Sequence, residues 1–420
     1  MKVIWTTNML ICGIAEELNG ISGGFGGWME QAFKETAECT DVDLVIVTSS
    51  GNTQLIKRTI GGVTYYVLPC GDAYGKFRAS DKKAQALLKK IVAEEKPDLI
   101  HIWGTESGLG LALSRVAPEI PKVVYLQGIM KSVEKHYYES TSIKELKRNL
   151  TFYDFVKGRS VRHKNRELRI KADNEAEILQ LSGHIICDND WCIAMCRSMN
   201  PALTVHRQNL PIDTVFRETP WQNNDGHIIF CASQYAPFKG FETLLRALIT
   251  VKRHYPDVCL EVPGGWQPRP ETVRGKLTYN TYSRTINNLI KKWGVGDSIR
   301  NLGALSRRQM AEHMQSAEVF VQCSTVENHS STMREAMNVG MPCVVSNAGS
   351  AAEYIRHGDT GFLYRGDESE VLAYYIIMLF RDEELRSRLG KAGRSYISDK
   401  YEHNESKSTI EIYKEIINDE

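Results

Sequence analysis

Two glutamates, Glu327 and Glu335, stand eight positions apart across what reads as a loop-to-helix junction. The apolar run Val319-Phe-Val-Gln-Cys323 predicts a buried strand. Ser331 to Asn338 predicts a helix that begins after Ser330, a residue type that caps helix N-termini. A strand leading into a helix start offers unpaired backbone N–H groups and the positive end of the helix dipole. Ser330, Ser331 and Thr332 therefore suit a phosphate held by main chain and hydroxyl. Glu335, in the first turns, suits the vicinal hydroxyls of a ribose, and Glu327, in the loop, those of a sugar. Taken alone, the two acids are better explained as solvated residues that the dipole favours near a helix start.

The elements that must hold these groups form a regular series. Lys2 to Thr6, Asp43 to Thr48, Val63 to Leu68, Leu99 to Trp103, Lys122 to Leu126 and His184 to Cys187 read as short strands separated by helical patterns. A break follows at Arg207 to Phe216 and in the polar stretch up to Gly226, taken as an interdomain linker. A second series runs through His227 to Ala232, Cys259 to Val262, Ile299 to Leu302, Val319 to Gln322 and Cys343 to Ser346. Phe241, Leu244, Leu245, Leu248 and Ile249 form one helical stripe within it. Strands separated by helices imply βαβ units, so the class is α/β with two doubly wound parallel sheets. The length of 420 residues, beyond the usual size of one core, agrees with two domains. Ligands of such sheets bind outside the carboxyl ends of the strands.

The order Glu327, Glu335, Ala336-Met337, Gly340-Met-Pro342, Gly349, Glu353 and Gly358-Asp-Thr-Gly361 resembles the C-terminal signature of retaining glycosyltransferases of the GT-B fold, family 4. In that family a Glu-x7-Glu pair grips the sugar and ribose of a nucleotide-sugar donor. The resemblance covers most of residues 209 to 400 by specific motifs, and the first 208 mainly by architecture and a glycine loop. It implies two Rossmann-like domains facing across a cleft: an acceptor-binding domain over 1–215, a nucleotide-sugar-binding domain over 216–400, and a helix over 401–420 that packs back toward the first.

The same resemblance distributes further roles. Ser233-Gln-Tyr-Ala-Pro-Phe-Lys239-Gly240 is similar to the family's Gly-Arg-x-x-x-x-Lys-Gly, which makes Lys239 the cation for the donor diphosphate. Gln234 stands where an arginine is usual, so the clamp loses a charge there unless Arg334 or Arg274 substitutes. Gly264 and Gly265 resemble a turn that lets backbone approach the nucleotide, and Gly24 and Gly26, in Ser22 to Trp28, a loop that faces the diphosphate. Gln127 replaces a histidine that touches the transferring sugar. It can hydrogen-bond a hydroxyl but cannot shuttle a proton. Catalytic roles thus fall on Glu327, Lys239 and Gln127, with Thr105 and Glu106 on the acceptor side. His101 reads as a structural histidine at a strand end.

The implied reaction moves a hexosyl unit from a UDP- or GDP-type sugar to a hydroxyl with retained configuration, in cell-surface polysaccharide or glycolipid assembly. The alternative is a catalytically degenerate relative that senses sugar nucleotides or aids assembly, suggested by Gln127, Gln234 and the Asn-His-Ser-Ser replacement of Gly-Phe-Gly. No metal is expected. Asp188-Asn-Asp190 imitates a metal motif of another fold but precedes a helix at Trp191, where it reads as a cap. Cys187, Cys192 and Cys196 lack a fourth ligand at zinc spacing and read as core residues in a reduced compartment.

A net charge of +1 argues against nucleic acid as partner. Expected partners are a nucleotide-sugar donor and a saccharide or lipid-linked acceptor. Between Lys131 and Lys171, twelve Lys or Arg stand against five Asp or Glu, interleaved with aromatics, which suits an anionic membrane face. The first residues pass directly into a strand, so no signal peptide is expected, and no apolar stretch approaches the roughly 18 residues of a membrane span. The expected location is cytoplasmic, with peripheral contact at the inner face of the membrane.

Overall fold

Apolar runs such as Val3-Ile4-Trp5 and Val319-Phe320-Val321 are buried throughout, as strands covered on both faces by helices must be. The computed structural model describes the chain except residues 20–26, 71–76, 210–211, 233–235, 265–266, 271, 273–274, 276–277, 403–405 and 419–420. It divides into two compact units. The first comprises Met1–Lys131, Leu168–Pro211 and Glu405–Glu420, and the second Ser132–Glu167 and Ile212–Asn404.

The sheet of the first unit is built from β1 (Lys2–Thr6), β2 (Asp43–Ser49), β3 (Ile56–Ile60), β4 (Val63–Leu68), β5 (Leu99–Trp103), β6 (Lys122–Tyr125), β7 (His184–Cys187) and β8 (Thr204–Arg207). Their order is β3-β4-β2-β1-β5-β6-β7-β8, parallel except at the β3–β4 hairpin. The sheet of the second unit is built from β9 (Ile228–Phe230), β10 (Cys259–Pro263), β11 (Ile299–Gly303), β12 (Val319–Gln322), β13 (Cys343–Ser346) and β14 (Phe362–Tyr364). Its order, β11-β10-β9-β12-β13-β14, is wholly parallel. Apart from the β3–β4 hairpin, each order reverses direction once, between β1 and β5 in the first sheet and between β9 and β12 in the second. Chains leaving adjacent strands there turn to opposite faces and open a crevice.

The last helix, Thr409–Asn418, belongs to the first unit. Tyr413 is fully buried, accepts from Trp5 Nε1 at 2.7 Å and lies 2.5 Å from His101 Nδ1. Burial lowers the His101 pKa to about 3, so the ring stays neutral and ties the helix to β1 and β5.

Ser132–Glu167, inside the first domain as read from the sequence, packs with the second unit. Its polar groups find their partners there. Ser140 Oγ donates to Pro237 O (3.0 Å), Thr325 Oγ1 donates to His136 O (2.8 Å), and Asn288 Nδ2 donates to Asn149 Oδ1 (2.6 Å). Asn189 caps the helix Asp190–Met199 by accepting from Cys192 N at 2.8 Å, and Cys192 and Cys196 on that helix are wholly buried in the first core. Among the described residues, no group of three His, Cys, Asp or Glu is arranged to hold a metal, and no helix is long and apolar enough to cross a membrane.

Candidate active site

The switch point of the second sheet gathers a charged pair. The chain after β9 makes a single turn, Pro237–Lys239, and the chain after β12 carries Glu327. Lys239 Nζ lies 2.9 Å from Glu327 Oε2, with only 13% and 12% of the two side chains exposed. Glycine makes this approach feasible. Gly240 has φ +71°, and a Cβ there would lie 1.6 Å from Cys323 O. Gly349 has φ +57°, and a Cβ there would lie 1.9 Å from Glu327 O. Only chains without a side chain at those two points can press onto the ends of the β12 loop. Ser350 completes the clamp, its N–H donating to Glu327 O (3.0 Å) and its hydroxyl to Asn328 O. Thr325 N, in turn, donates to Phe238 O at 2.7 Å, fixing one loop against the other.

Beyond Glu327 runs the helix Ser331–Val339. The Ser330 hydroxyl accepts from Met333 N (3.2 Å) and donates to Gln322 Oε1, so it is committed to capping. The first intrahelical bond is made by Arg334 N to Ser330 O (3.2 Å). The N–H groups of Ser331 and Thr332 precede it and are the ones a helix start offers to an anion. Glu335, on the same helix, keeps some exposed surface, yet burial pushes its carboxyl up to about 7. Arg334 and Arg307 oppose that rise and Asp213 adds to it. Arg307 is paired with Asp213 (2.7 Å), which caps the helix Thr214–Glu218 by accepting from Val215 N. Gly264, at the end of β10, has φ +64° and donates its N–H to Gly303 O at 2.5 Å, with open space where a Cβ would point.

The first sheet places a different set beyond β5 and β6. A Cβ on Gly104, whose φ is +83°, would lie 2.2 Å from Glu106 Oε2 and 3.2 Å from Gln127 Nε2. Both of those atoms are buried and lack a hydrogen-bond partner. The Glu106 carboxylate accepts from its own N–H and that of Gly128. Burial nonetheless raises its pKa to about 7, the nearby Glu175 adding to the rise and Lys171 opposing it. Glu106 Oε2 and Gln127 Nε2 are an acceptor and a donor, both buried without a partner close to Gly104. Thr105, expected on the acceptor side, is fully buried and donates to Glu175 Oε2 at 2.7 Å. Its hydroxyl positions that carboxylate, which also accepts from Met130 N (2.8 Å) and Lys131 N (2.9 Å) at the start of the helix Met130–His136.

Within the second unit, Lys239 and Glu327 come together, with Ser330, Ser331, Thr332 and Glu335 on the helix that follows them. Within the first, Gln127 and Glu106 come together and Thr105 stands behind them. Gly24, Gly26, Gln234, Gly265 and Arg274 lie outside the described residues. Sequence reasoning missed Glu175, Ser350 and Arg307. Glu175 sits among other charged residues of a polar helix and meets Thr105 from 70 positions away, and no local signal marks it.

Residues 213–396 match the family of glycosyl transferases group 1. The chain is 27% identical over 177 residues to a GDP-mannose-dependent alpha-(1-6)-phosphatidylinositol monomannoside mannosyltransferase of Mycobacterium tuberculosis, covering 40% of this chain and 42% of that one. It is 29% identical over 137 residues to N-acetyl-alpha-D-glucosaminyl L-malate synthase of Bacillus anthracis, covering 32% and 35%. The chain thus spans less than half the length of either relative. In fold it is similar to sucrose-phosphate synthase from Thermosynechococcus elongatus (TM-score 0.69, 15% identity, all of both chains). It is also similar to Anabaena HepE solved with UDP and glucose (TM-score 0.63, 16% identity, 100% of this chain and 99% of that one). Both sheets therefore follow the GT-B pattern.

Proposed function

We propose, for a chain whose residues 213–396 match the glycosyl transferases group 1, that it moves a hexosyl unit from a UDP- or GDP-sugar to a hydroxyl, with the anomeric configuration retained and no metal bound. The observation that carries this reading is the Lys239–Glu327 pair, held by Gly240 and Gly349 at the switch point of the second sheet and followed by a helix start. A donor diphosphate takes the place of the Glu327 carboxylate as partner of Lys239, and the N–H groups of Ser331 and Thr332 meet its remaining charge. Glu327, released, accepts from the sugar hydroxyls, and Glu335 from the ribose.

The bond between anomeric carbon and diphosphate oxygen breaks as a bond from the acceptor oxygen forms on the same face. The acceptor proton passes to the departing phosphate oxygen. Rate enhancement then comes from charge stabilisation on the leaving group, which needs no protein base. Gln127, which cannot carry a proton, suits that scheme, and the open pair of Glu106 and Gln127 is assigned to a substrate hydroxyl. The acceptor is a saccharide or lipid-linked hydroxyl, and the chain works at the cytoplasmic face of a membrane.

Hydrolysis and transfer from UDP-glucose, UDP-N-acetylglucosamine and GDP-mannose, with EDTA present, test the reading. Activity with one donor that falls at least about 100-fold in Glu327→Ala supports it. Nucleotide binding without turnover of any donor would favour the degenerate sensor.

A further inference from the structure

We propose that the short helix Phe152–Val156 and the cationic run after it form a docking surface for an anionic lipid bilayer. Phe152 is 76% exposed, Phe155 68% and Val156 62%, within five consecutive residues. They recur at helical spacing and share one face. The opposite face dictates their direction. Asp154, buried, accepts from Thr281 N at 2.5 Å, and Thr151 N donates to Thr281 Oγ1 at 3.2 Å. These two bonds clamp the inner side of the short helix onto the start of the helix Thr281–Trp293. The three apolar side chains are thereby held in water by the polar contacts beneath them.

Lys157, Arg159, Arg162 and Arg166 follow, all exposed. Large exposed apolar side chains followed directly in the chain by exposed cations match a bilayer interface, where rings enter the headgroup boundary and cations meet lipid phosphates. A twofold contact with a second copy would instead set this cationic rim against its own image, a like-charge arrangement. The contact is peripheral, because no described helix can span a membrane. This partner deepens the lipid-linked reading of the acceptor and rests on it for its purpose, although the contact itself needs no nucleotide.

Co-sedimentation of the full chain with vesicles tests the surface, using phosphatidylcholine alone and phosphatidylcholine with about one third phosphatidylglycerol. The wild type should bind the anionic vesicles only, and less as salt shortens the Debye length below about 10 Å. Both the Phe152→Ser/Phe155→Ser pair and the Lys157→Glu/Arg159→Glu/Arg162→Glu triple should bind about tenfold more weakly. Their melting temperatures and any nucleotide-induced shift should stay those of the wild type, since the altered side chains are exposed and lie outside the Lys239–Glu327 site. No binding of the wild type to anionic vesicles overturns the proposal, as does equal binding by the variants. So does vesicle-free self-association that the serine pair abolishes, which would assign the patch to a second copy. Vesicle binding by a chain that shows no nucleotide shift would uphold this contact and refute the transferase reading alone.

Discussion

The two switch points solve the same positional problem with opposite electrostatics. In the second sheet the charges are already paired: Lys239 faces Glu327 at 2.9 Å, and glycines bring the backbone of one loop onto the other. In the first sheet the polar atoms are left open: Glu106 Oε2 and Gln127 Nε2 are buried without partners beside Gly104. A paired site keeps its shape when empty and must exchange one partner to bind. An open site pays for unmet polar atoms until a ligand arrives. On the proposed function the first arrangement takes an anion that competes for a lysine, and the second a neutral hydroxyl.

The glycines separate the two sites most sharply. Gly240→Ala meets a backbone carbonyl at 1.6 Å, which cannot move without shifting β12, and should cost at least about 4 kcal/mol in urea unfolding or prevent folding. Gly104→Ala meets the tip of the Glu106 side chain, which can swing, and should cost about 1–2 kcal/mol despite its positive φ.

The ion pair comes next. Lys239→Met leaves Glu327 without its cation in a largely buried place and should cost roughly 2–3 kcal/mol, whereas adding Glu327→Gln should restore most of it. Equal costs for the single and double variants would show that the pair is not coupled.

The acids give a smaller, pH-dependent effect. Glu106 and Glu335 ionise near pH 7 in the fold, against an ordinary value of 4.5. Between those values the native state keeps a proton that the unfolded chain has released, so stability falls as pH rises through the window and levels off above it. Glu106→Gln or Glu335→Gln should therefore leave stability at pH 4 unchanged. Above pH 7 each should add about 1–3 kcal/mol, the lower end reflecting the surface each side chain retains. Smallest of all, Thr105→Val removes one of the donors to Glu175 and should cost about 1 kcal/mol by the same unfolding measurement.

The alternation of apolar strands made the two sheets legible, along with the Ser330 cap and the helix after it. β3 was not, because its central residues Lys57, Arg58 and Thr59 are exposed on an edge and show no apolar pattern. β8 lies on the opposite edge of the same sheet with Thr204 and Arg207 exposed, and it too lacks an apolar run. The packing of Ser132–Glu167 with the second unit depends on pairs such as Ser140 with Pro237, 97 positions apart, which no local rule connects. In the site, Glu327 and Lys239 were marked by motif. That they would pair with each other, and that Gly240 and Gly349 would be the contacts allowing it, follows only from the adjacency of β9 and β12.

On the proposed function the paired site in the second unit binds the diphosphate of a nucleotide. Thermal melts with UDP, GDP and ADP, EDTA present, on the wild type and on Lys239→Met/Glu327→Gln address it directly, since a ligand at about 100 times its Kd adds roughly 2.7 kcal/mol to the folded state. A shift with one nucleotide in the wild type should be lost in the double variant. No shift with any of the three, or the same shift in both proteins, would contradict that binding.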